Sequence, residues 1–329
     1  MDKNMLQDHL EQASVLLDNP INVNQPVDLD IVEIADVLPP AMPGEHVFRI
    51  EDLDTDVDVV LALGADGKIE IVERDLGSDV AVDFFKYTSK METVQLQEIL
   101  ESVDQGKMTR MKAKVQRGMD KAEVKKMFDL ILTPASDYYP ASKIANASDD
   151  AAASSEDLYD VIMRKKQAIE NYGDDFLLLV GTNVKSKMDK WDKDQAATLN
   201  YQVSIEAMLK NANIKVRKIW GKVSLVTGET EVDILDPDTF ILIARNSKIA
   251  DGKPVKFIRR LVNPEISAVA GVTVDNRQRA IAQVPVPVTK NVAGVSDPYW
   301  AYGFVGFGSF AMCVSNPYAI ATCDASAIL

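Results

Sequence analysis

The chain has 329 residues, 47% of them hydrophobic, and a formal net charge of −14 at pH 7. This length is enough for one large hydrophobic core or two modest ones, and the composition excludes a disordered chain. No run of about 18 apolar residues predicts a membrane-spanning helix. The acidic, amphipathic N-terminus is unlike a secretory signal, so we expect synthesis and retention in a cytoplasm.

The acidity belongs to one part of the chain. Residues 1–79 hold 19 acidic and 4 basic residues, whereas residues 80–329 hold 31 acidic and 32 basic ones. Eight bases are concentrated in one stretch: Lys107, Arg110, Lys112, Lys114, Arg117, Lys121, Lys125 and Lys126. The acidic and basic regions could pair, within a subunit or between neighbours, or they could be two solvated faces that keep the protein soluble.

The N-terminal region predicts a short helix followed by an extended arm. Leu6, Leu10 and Leu17 have helical spacing, and the helix stops before Pro20. Residues 19–44 are punctuated by proline and contain few large apolar side chains. Such a segment buries too little surface to order by itself, so we expect it to lie on neighbouring subunits.

Residues 46–90 predict a long β-hairpin. Alternating apolar residues flank Gly64-Ala-Asp-Gly67, which is a strong hairpin turn signal. Four aspartates, Asp52, Asp54, Asp56 and Asp58, alternate in the strand before the turn. They resemble the start of a calcium loop, but Val57 and Leu63 occupy the positions where that loop needs glycine and glutamate, so a solvated strand face is favoured.

Two helices and a linker follow. Leu96, Ile99, Leu100 and Val103 predict a helix from Met91 onward. Asp120 with Glu123 has capping spacing and predicts the start of a second helix, which Pro134 ends. Its apolar face consists of Val124, Met127, Phe128 and Ile131. Residues 135–155 are rich in Ala, Ser and Asp and predict a loop.

Residues 155–182 predict a helix that leads directly into a buried strand. Ser154 with Asp157 has the spacing of a capping box, and Gly173 suits the left-handed residue that ends a helix. The predicted buried face contains Leu158, Val161, Ile162, Ile169 and Tyr172. The face predicted to be exposed to solvent contains Arg164, Lys165, Lys166 and Glu170. The apolar run 176–180 predicts a strand covered on both faces.

The remaining third of the chain predicts mostly strands. A helix is expected at 199–209, and strands at 214–226 and 232–244 with a turn at Asp236-Pro237-Asp238. From Asn263 onward we expect short strands and turns. Glycines alternate with aromatic residues at 303–308, a pattern that lets a strand pack closely against another backbone.

No motif predicts catalysis, a cofactor or a metal site. The two histidines, His9 and His46, lie in the arm and at its edge, and no nucleophile elbow or phosphate-binding loop is present. Gly303, Gly306 and Gly308 have the wrong order for a dinucleotide fingerprint. Cys313 and Cys323 lack the partners of a zinc site or disulfide framework, so buried thiols are favoured. We therefore name no catalytic, cofactor-binding or metal-binding residue.

Three stretches resemble the major capsid proteins of tailed bacteriophages, whose Hong Kong 97-type fold is also used by encapsulins. They are DLYDVIMRKKQAIENYGDDFLLLVGTNVKSKM (157–188), DILDPDTFILIARN (233–246) and WAYGFVGFGSFAMCVSNPYAIA (300–321). The resemblance covers nearly the whole chain as an order of parts. It implies an α+β fold with an N-terminal arm (1–45), an extended hairpin loop (46–90), a spine-helix and first peripheral part (91–154), an axial domain (155–262) and closing peripheral strands (263–329).

The resemblance also implies a function. The expected protein is a non-enzymatic major capsid protein that self-assembles, through hexamers and pentamers, into the icosahedral shell enclosing phage DNA. Portal, scaffolding and decoration proteins are further expected partners, DNA contact is non-specific, and no membrane is involved. We expect its place to be the virion capsid. An encapsulin-like compartment and a small-molecule-binding α/β enzyme remain alternatives.

Two finer hypotheses concern contacts between subunits. The acidic segment 46–79 is expected to lie on a basic surface that includes part of 107–126, in the same or an adjacent subunit. Some members of the family also link a hairpin lysine covalently to an asparagine of a neighbour. Here the resemblance offers Lys68, Lys86 or Lys90 as donor and Asn316 as acceptor, without a matching carboxylate.

Overall fold

The computed structural model describes most of the chain from residue 31 onward. The described residues are 31–41, 47–51, 77–81, 84–95, 106–132, 151–152, 156–199, 204–224, 230–245, 252–263, 265, 271–275, 277–292, 295–314 and 316–329. The predicted N-terminal helix, the hairpin tip, His9, His46 and the four alternating aspartates lie outside these ranges.

The described elements are five α-helices, fifteen strands and two short 3-10 turns. The helices are α1 (Ile31–Ile34), α2 (Gly106–Leu132), α3 (Leu158–Ile169), α4 (Thr182–Leu199) and α5 (Ile205–Asn211). The strands are β1 (Ala35–Val37), β2 (Val47–Glu51), β3 (Gly77–Ala81), β4 (Phe85–Thr88), β5 (Glu92–Gln95), β6 (Phe176–Val180), β7 (Ile214–Lys218), β8 (Lys222–Val223), β9 (Val232–Asp233), β10 (Thr239–Ala244), β11 (Val255–Arg259), β12 (Val272–Val274), β13 (Ala280–Val292), β14 (Val295–Val314) and β15 (Ile320–Asp324).

A four-stranded sheet in the order β15-β10-β6-β7 carries the most apolar strands of the chain. The β6–β7 pair is parallel and the other two pairs are antiparallel. Every residue of β6 is buried, which confirms the prediction of a strand covered on both faces. The turn predicted at residues 236–238 is also present, since the Thr239 amide donates to the Asp236 carbonyl at 3.2 Å.

The two faces of this sheet belong to different cores because side chains alternate along a strand. Leu178 and Val180 pack with helices α3, α4 and α5. Leu177 and Leu179 pack with the C-terminal half of α2 and with strands of the second sheet, through Phe128, Phe257 and Phe310 among others. The core that contains Leu177 and Leu179 therefore joins the four-stranded sheet to the seven-stranded sheet.

The second sheet has seven strands, and the 20-residue strand β14 lies at its centre. It pairs antiparallel with β13 over residues 295–307, with β11 over 310–314, with β4 over 307–310 and with β5 over 301–304. β12 adds to β13, and β1 adds parallel to β11. The expectation of short strands after Asn263 is wrong, since β13 has 13 residues and β14 has 20.

Strands β2 and β3 form a separate two-stranded antiparallel sheet, with Val47 opposite Ala81 and Glu51 opposite Gly77. This pairing agrees with the predicted hairpin but ends at Ala81, since residues 85–88 of the predicted segment 46–90 belong to the seven-stranded sheet. Neither strand pairs with the two larger sheets in the described part of the chain.

The helix predictions need several corrections. The start of the helix predicted from Met91 is wrong, because residues 92–95 form strand β5, which pairs with β14. The apolar stripe from Leu96 to Val103 that predicted this helix lies outside the described residues. Asp120 and Glu123 do not begin a helix, since both lie in the interior of the continuous 27-residue helix α2. The apolar face predicted for that region is correct, and Val124, Met127, Phe128 and Ile131 are all buried.

Helix α3 has the predicted buried face but different ends. Asp157 is its N-cap and makes no capping bond; instead its carboxylate accepts from Trp191 Nε1 at 3.0 Å. Thus the capping box with Ser154 is wrong. Gly173 is not left-handed, because the helix has already ended at Ile169. Lys165 was predicted to be exposed to solvent but is buried, because it lies three residues from Ile162 and four from Ile169 on the apolar face.

Helix α4 was not predicted, because its sequence is polar and only Val184 and Met188 are fully buried in its described part. The helix predicted at 199–209 is present as α5 at 205–211. The segment around α1 also differs from expectation. Ile31, Ile34 and Ala35 are buried within the same chain, so this part of the predicted arm does not need a neighbouring subunit to lie on.

Candidate assembly surfaces

The glycines of β14 allow helix α2 to pack close to the sheet. A side chain at Gly306 would collide with Met119 and would lie 2.7 Å from Val115 Cγ1, and both residues belong to α2. A side chain at Gly308 would lie 2.5 Å from the Tyr87 ring, and one at Gly303 would lie 2.6 Å from Met91 Sδ. The glycines therefore allow close packing, as predicted, but what approaches them is side chains of α2, Met91 and Tyr87 rather than another backbone.

A network of charges fastens the middle of α2 to the sheet. Glu123 is completely buried, accepts from Tyr87 Oη at 2.5 Å and from Arg259 Nη2 at 2.7 Å. One turn earlier, Asp120 accepts from Arg277 Nη1 at 2.9 Å and from Arg279 Nη1 at 2.6 Å. The helix is thus bonded to strands β4 and β11 and to the turn between β12 and β13.

This network holds as many acids as arginines. Asp275 is the third carboxylate and accepts from Arg279 Nε at 2.9 Å. Burial and the neighbouring charge of Glu123 raise the pKa of Tyr87 well above its ordinary value. Burial works against the charged form of Arg279, but the charges of Asp120, Glu123 and Asp275 outweigh it and raise the pKa of that guanidinium. Because the charges of this network neutralise one another, removing one side chain leaves a buried charge without its partner and lowers the stability of the fold.

The segment 31–37 connects the two sheets. Glu33 accepts from Arg217 Nη2 at 3.0 Å and lies 3.3 Å from Lys215 Nζ, and both bases belong to β7 of the four-stranded sheet. Asp36 accepts from Lys256 Nζ and from the Lys253 amide, both at 2.7 Å, beside β11 of the seven-stranded sheet.

Gly252 explains how Asp36 reaches this position. It has φ of +108°, and a side chain there would collide with the Asp36 carboxylate. A residue other than glycine would be strained by the backbone and would displace the acid.

Strands β13 and β14 extend beyond the helix as a two-stranded ribbon, formed by residues 284–292 and 295–300 and called here the distal ribbon. No third strand pairs with it among the described residues. Phe304, Tyr302 and Trp300 lie on one face of β14, and their exposure rises along that row, from fully buried Phe304 to Trp300 at 59%. The row of aromatic residues therefore extends beyond the part of β14 that α2 covers, and it ends at the exposed Trp300.

Both faces of the distal ribbon carry exposed apolar side chains. Pro287 lies opposite Trp300, and Pro285 lies opposite Tyr302. On the other face, Val284 is 41% exposed, and Met91 and Phe307 are exposed nearby. Exposed apolar residues on both faces make the distal ribbon a candidate interaction site.

Two prolines interrupt the outer edge of β13. The Gln283 amide points away from β14, because it donates to the Gly271 carbonyl at 2.7 Å. Since amides alternate along a strand, the nitrogens of Pro285 and Pro287 face the same outer edge, where they provide no donor. A strand added at this part of the edge would therefore lack two backbone donors.

The described residues contain no group of three or more His, Cys, Asp and Glu side chains placed to hold a metal ion. Cys313 and Cys323 are buried free thiols, as predicted, and burial raises the pKa of Cys313 to about 12. An open cleft of about 890 Å³ beside α5 and β7 is lined by charges of both signs, among them Asp175, Glu206 and Lys210. In the described part, no helix is long and apolar enough to cross a membrane.

The residues proposed for a covalent link are not brought into an evident site. Lys86 and Lys90 are exposed on and beside β4, and Lys68 lies outside the described residues. Asn316 is buried, and its Oδ1 accepts from the Tyr318 amide at 3.1 Å as the cap of a 3-10 turn. The covalent link stays a prediction.

Sequence reasoning missed the charge network and the distal ribbon. Asp120 and Glu123 were correctly singled out, but as a cap, although their spacing also places them on one side of a longer helix. Pro285, Pro287 and Trp300 gave a local signal for an edge strand with an exposed aromatic residue. Their pairing across a hairpin was needed to recognise one surface.

Comparisons with known proteins give fold relatives alone. No family model matches the chain, and no curated protein matches its sequence. Among solved structures, the asymmetric unit of the bacteriophage PhiM1 mature capsid shares 9% identity, covers 93% of this chain and 90% of that chain, and gives a TM-score of 0.53. The capsid of an empty GTA particle shares 11% identity over 95% of this chain and 96% of that chain, with a TM-score of 0.50.

These matches span almost the full length of both partners and include the mixed α+β layout described above. The long helix on a sheet, the separate two-stranded hairpin and the second sheet with its own helices are the parts that the sequence resemblance implied. The chain has the Hong Kong 97-type fold of tailed-bacteriophage major capsid proteins.

Proposed function

We propose that this chain is the major capsid protein of a tailed bacteriophage, a structural and non-enzymatic subunit that self-assembles into the icosahedral shell around the genome. The observation that carries the proposal is the fold shared with two phage-type capsids over nearly the whole chain. The apolar faces of the distal ribbon support it, because a single copy leaves them uncovered.

The uncovered surface fits a subunit that touches several copies of itself. Obligate interfaces bury roughly 2,000 to 5,000 Å² or more, and exposed aromatic residues at their centres contribute much of the binding free energy. Trp300, flanked by Pro287 across the ribbon, has the chemistry of such an anchor. Pro285 and Pro287 disfavour strand addition at their part of the outer edge of β13.

The remaining partners belong to the same proposal. Hexamers and pentamers of this chain would form the shell, with portal, scaffolding and decoration proteins as further partners. DNA would meet the inner surface through non-specific contact with its phosphates. The shell would be the virion capsid, built from subunits made in the host cytoplasm. The domain boundaries implied by the resemblance, 1–45, 46–90, 91–154, 155–262 and 263–329, are part of this proposal.

The test is sedimentation velocity and negative-stain microscopy of the purified full chain. We expect closed, roughly isometric shells or capsomer rings. Trp300→Ser should lower the assembled fraction at least about tenfold while leaving the thermal unfolding of the subunit unchanged, since Trp300 is mostly exposed.

Val232→Ser is the matched control, because Val232 is also an exposed apolar residue but lies on β9, away from the ribbon. It should assemble normally. A monodisperse monomer or dimer of the unmodified chain would contradict the proposed function. Nuclease-protected DNA in the particles separates a phage capsid from a compartment filled with a cargo enzyme.

A further inference from the structure

Strand β7 lies at one end of the four-stranded sheet, with β6 on one side and no described strand on the other. It pairs with β6 in parallel, and the Ile219 amide just after it donates to the Val180 carbonyl at 2.9 Å. Successive residues of a strand direct their backbone groups to opposite sides. The N–H and C=O groups of Ile214, Val216 and Lys218 therefore point away from β6, to the outer edge of the sheet.

This edge keeps its backbone donors, unlike other edges of the molecule. On the outer edge of β13, Pro285 and Pro287 provide no donor. At the other end of the four-stranded sheet, the Ala152 amide donates to the Asp324 carbonyl of β15 at 3.0 Å, so part of that edge is already occupied. An edge strand with unpaired backbone groups is a template for a further strand.

Space for an added strand is present beside β7. The open cleft of about 890 Å³ is lined by residues 214–216 of β7 and by the exposed residues Glu206, Ala207 and Lys210 of helix α5. Strand addition to an exposed edge is a recurring mode of peptide recognition, in which backbone hydrogen bonds supply affinity and side chains supply specificity. The cleft therefore has the form of a peptide-binding site.

The side chains of β7 are mostly basic. Lys215, Arg217 and Lys218 are three of its five residues. Lys215 and Arg217 share one carboxylate, that of Glu33. Lys218 is exposed, and within the described part of the chain no carboxylate lies within 4.0 Å of its ammonium group. The strand therefore carries more positive charge than the described residues compensate.

The acids that line the cleft do not offset this charge. Asp175 Oδ2 lies 2.7 Å from Arg245 Nη2, and Glu206 Oε1 lies 2.7 Å from Lys185 Nζ, so both are bound by other bases. A third acid, Asp174, precedes β6 and therefore lies at the start of the parallel strand β7. Along the rest of the edge the excess charge is positive, so the matching partner is acidic.

The two faces of β7 indicate which acidic pattern fits. Lys215 and Arg217 lie on one face, whereas Ile214 and Val216 lie on the other, with the apolar core of α3, α4 and α5. A strand with acidic and apolar residues at alternating positions would place its carboxylates beside the bases and its apolar side chains beside the core. None of the described strands of this chain has acids at two alternating positions, so they offer no matching second copy.

We propose that β7 binds an extended acidic segment of another protein, which adds a fifth strand to the four-stranded sheet in the cleft beside α5. The outward backbone groups of Ile214, Val216 and Lys218 pair with the segment, and the basic side chains of β7 attract its carboxylates. The inference goes beyond the proposed function and does not depend on it, because the whole edge belongs to one subunit.

The first test titrates the purified full chain with a fluorescently labelled peptide of sequence DVDVDVD and follows fluorescence anisotropy. We expect saturable binding that weakens as the salt concentration rises. The same peptide methylated at every backbone nitrogen should bind at least about tenfold more weakly, because it cannot donate hydrogen bonds to the edge. Equal binding of the methylated peptide, or of the basic peptide KVKVKVK, would overturn strand addition by an acidic segment.

The second test changes the edge itself. Val216→Pro removes an N–H that faces outward and leaves the hydrogen bonds with β6 in place, so it should weaken DVDVDVD binding at least about tenfold. Val216→Ala is the matched control, because it keeps the N–H while removing part of the side chain, and it should bind within about twofold of the unmodified chain. If Val216→Pro does not fold, the methylated peptide decides. Equal affinity of the proline variant would contradict the proposal.

A third test concerns charge. Lys218→Glu should weaken binding of DVDVDVD about threefold or more, since it replaces an attraction by a repulsion. Lys86→Glu makes the same change in net charge at an exposed residue of β4 in the other large sheet, and should leave binding unaltered. Equal affinities of the two variants would show that the charge of β7 does not select the partner.

Failure of this inference is distinct from failure of the proposed function. If the unmodified chain forms shells but does not bind DVDVDVD, only the binding edge is wrong. If it binds the peptide but forms no shells, only the proposed function is wrong. Binding to dissociated subunits that is lost in assembled particles would identify a second copy as the occupant and overturn the assignment to another protein.

Discussion

The two larger sheets of this protein are held to their helices by different chemistry. The four-stranded sheet packs one face on α3, α4 and α5 through aliphatic and aromatic side chains, with Leu178 and Phe240 fully buried. The seven-stranded sheet meets α2 through glycines of β14 and a buried charge network around Glu123. The first arrangement resembles an ordinary domain core, whereas the second contains polar groups that need specific partners.

The difference teaches how each unit achieves its geometry. Hydrophobic contacts tolerate rearrangement if volume is conserved. A buried network of carboxylates and guanidinium groups is satisfied in few positions, so it determines where α2 lies along β14. A precise position of α2 and β14 is required if the distal ribbon is to meet neighbouring copies, as proposed. The predictions below test how much each contact contributes.

The largest expected effect is that of removing Glu123. Glu123→Ala leaves the buried guanidinium of Arg259 and the hydroxyl of Tyr87 without their acceptor. We expect a loss of about 3–5 kcal/mol in the free energy of unfolding, measured by chemical denaturation. Asp129→Ala is the control, since it breaks only the Lys125 pair on the same helix and should cost about 0.5 kcal/mol or less. Equal losses of unfolding free energy in the two variants would show that the buried network contributes no more to stability than an exposed ion pair.

Close packing of α2 on β14 gives the next effect. Gly306→Ala places a methyl group against Met119 and Val115, and should cost about 1–3 kcal/mol in thermal or chemical unfolding. Gly118→Ala is the control, and it is expected to raise the free energy of unfolding rather than lower it. No atom lies within 4 Å of a methyl group there, so Gly118→Ala should stabilise the exposed helix by about 0.5–1 kcal/mol. A neutral Gly306→Ala would mean that the helix lies further from the sheet.

The smallest effect concerns the segment that joins the sheets. Burial raises the pKa of Glu33, but the hydrogen bond and charge of Arg217 and the charge of Lys215 outweigh burial, so its pKa lies below the ordinary 4.5. A lowered pKa in the folded state means that Glu33 adds stability above its ordinary pKa and loses it as the pH falls through the lowered value. Glu33→Gln should therefore cost about 0.5–1 kcal/mol at neutral pH and nothing in strong acid.

Unfolding measured at about pH 7 and about pH 2 checks this, because the lower pH must lie below the lowered pKa of Glu33. The control, Glu231→Gln, changes an exposed acid of the same type and should leave stability unaltered at both pH values. If the cost of Glu33→Gln persisted in acid, the contact of Glu33 with β7 would not be electrostatic.

Much of the four-stranded unit could be predicted because its signals are local. The apolar run at 176–180, the spacing of Leu158, Val161 and Ile162, and the Asp-Pro-Asp turn each depend on neighbours in sequence. The same periodicity places Lys165 on the buried face of its helix. It was nevertheless predicted to be exposed, because lysine side chains usually are. Helix α4 was missed because a polar helix with few buried residues carries little periodic signal.

By itself, the sequence determined where apolar and charged residues concentrate, which runs become buried strands, and a resemblance in layout to capsid proteins that the structure confirms at the level of fold. Only the tertiary structure decided that α2 is one helix, that Glu123 meets Arg259 across 136 residues, and that β14 pairs with four strands. The physical reason is the separation along the chain between the residues that interact. Periodicity is a property of adjacent residues, whereas partners of a buried charge or a strand edge are chosen among residues distant in the chain.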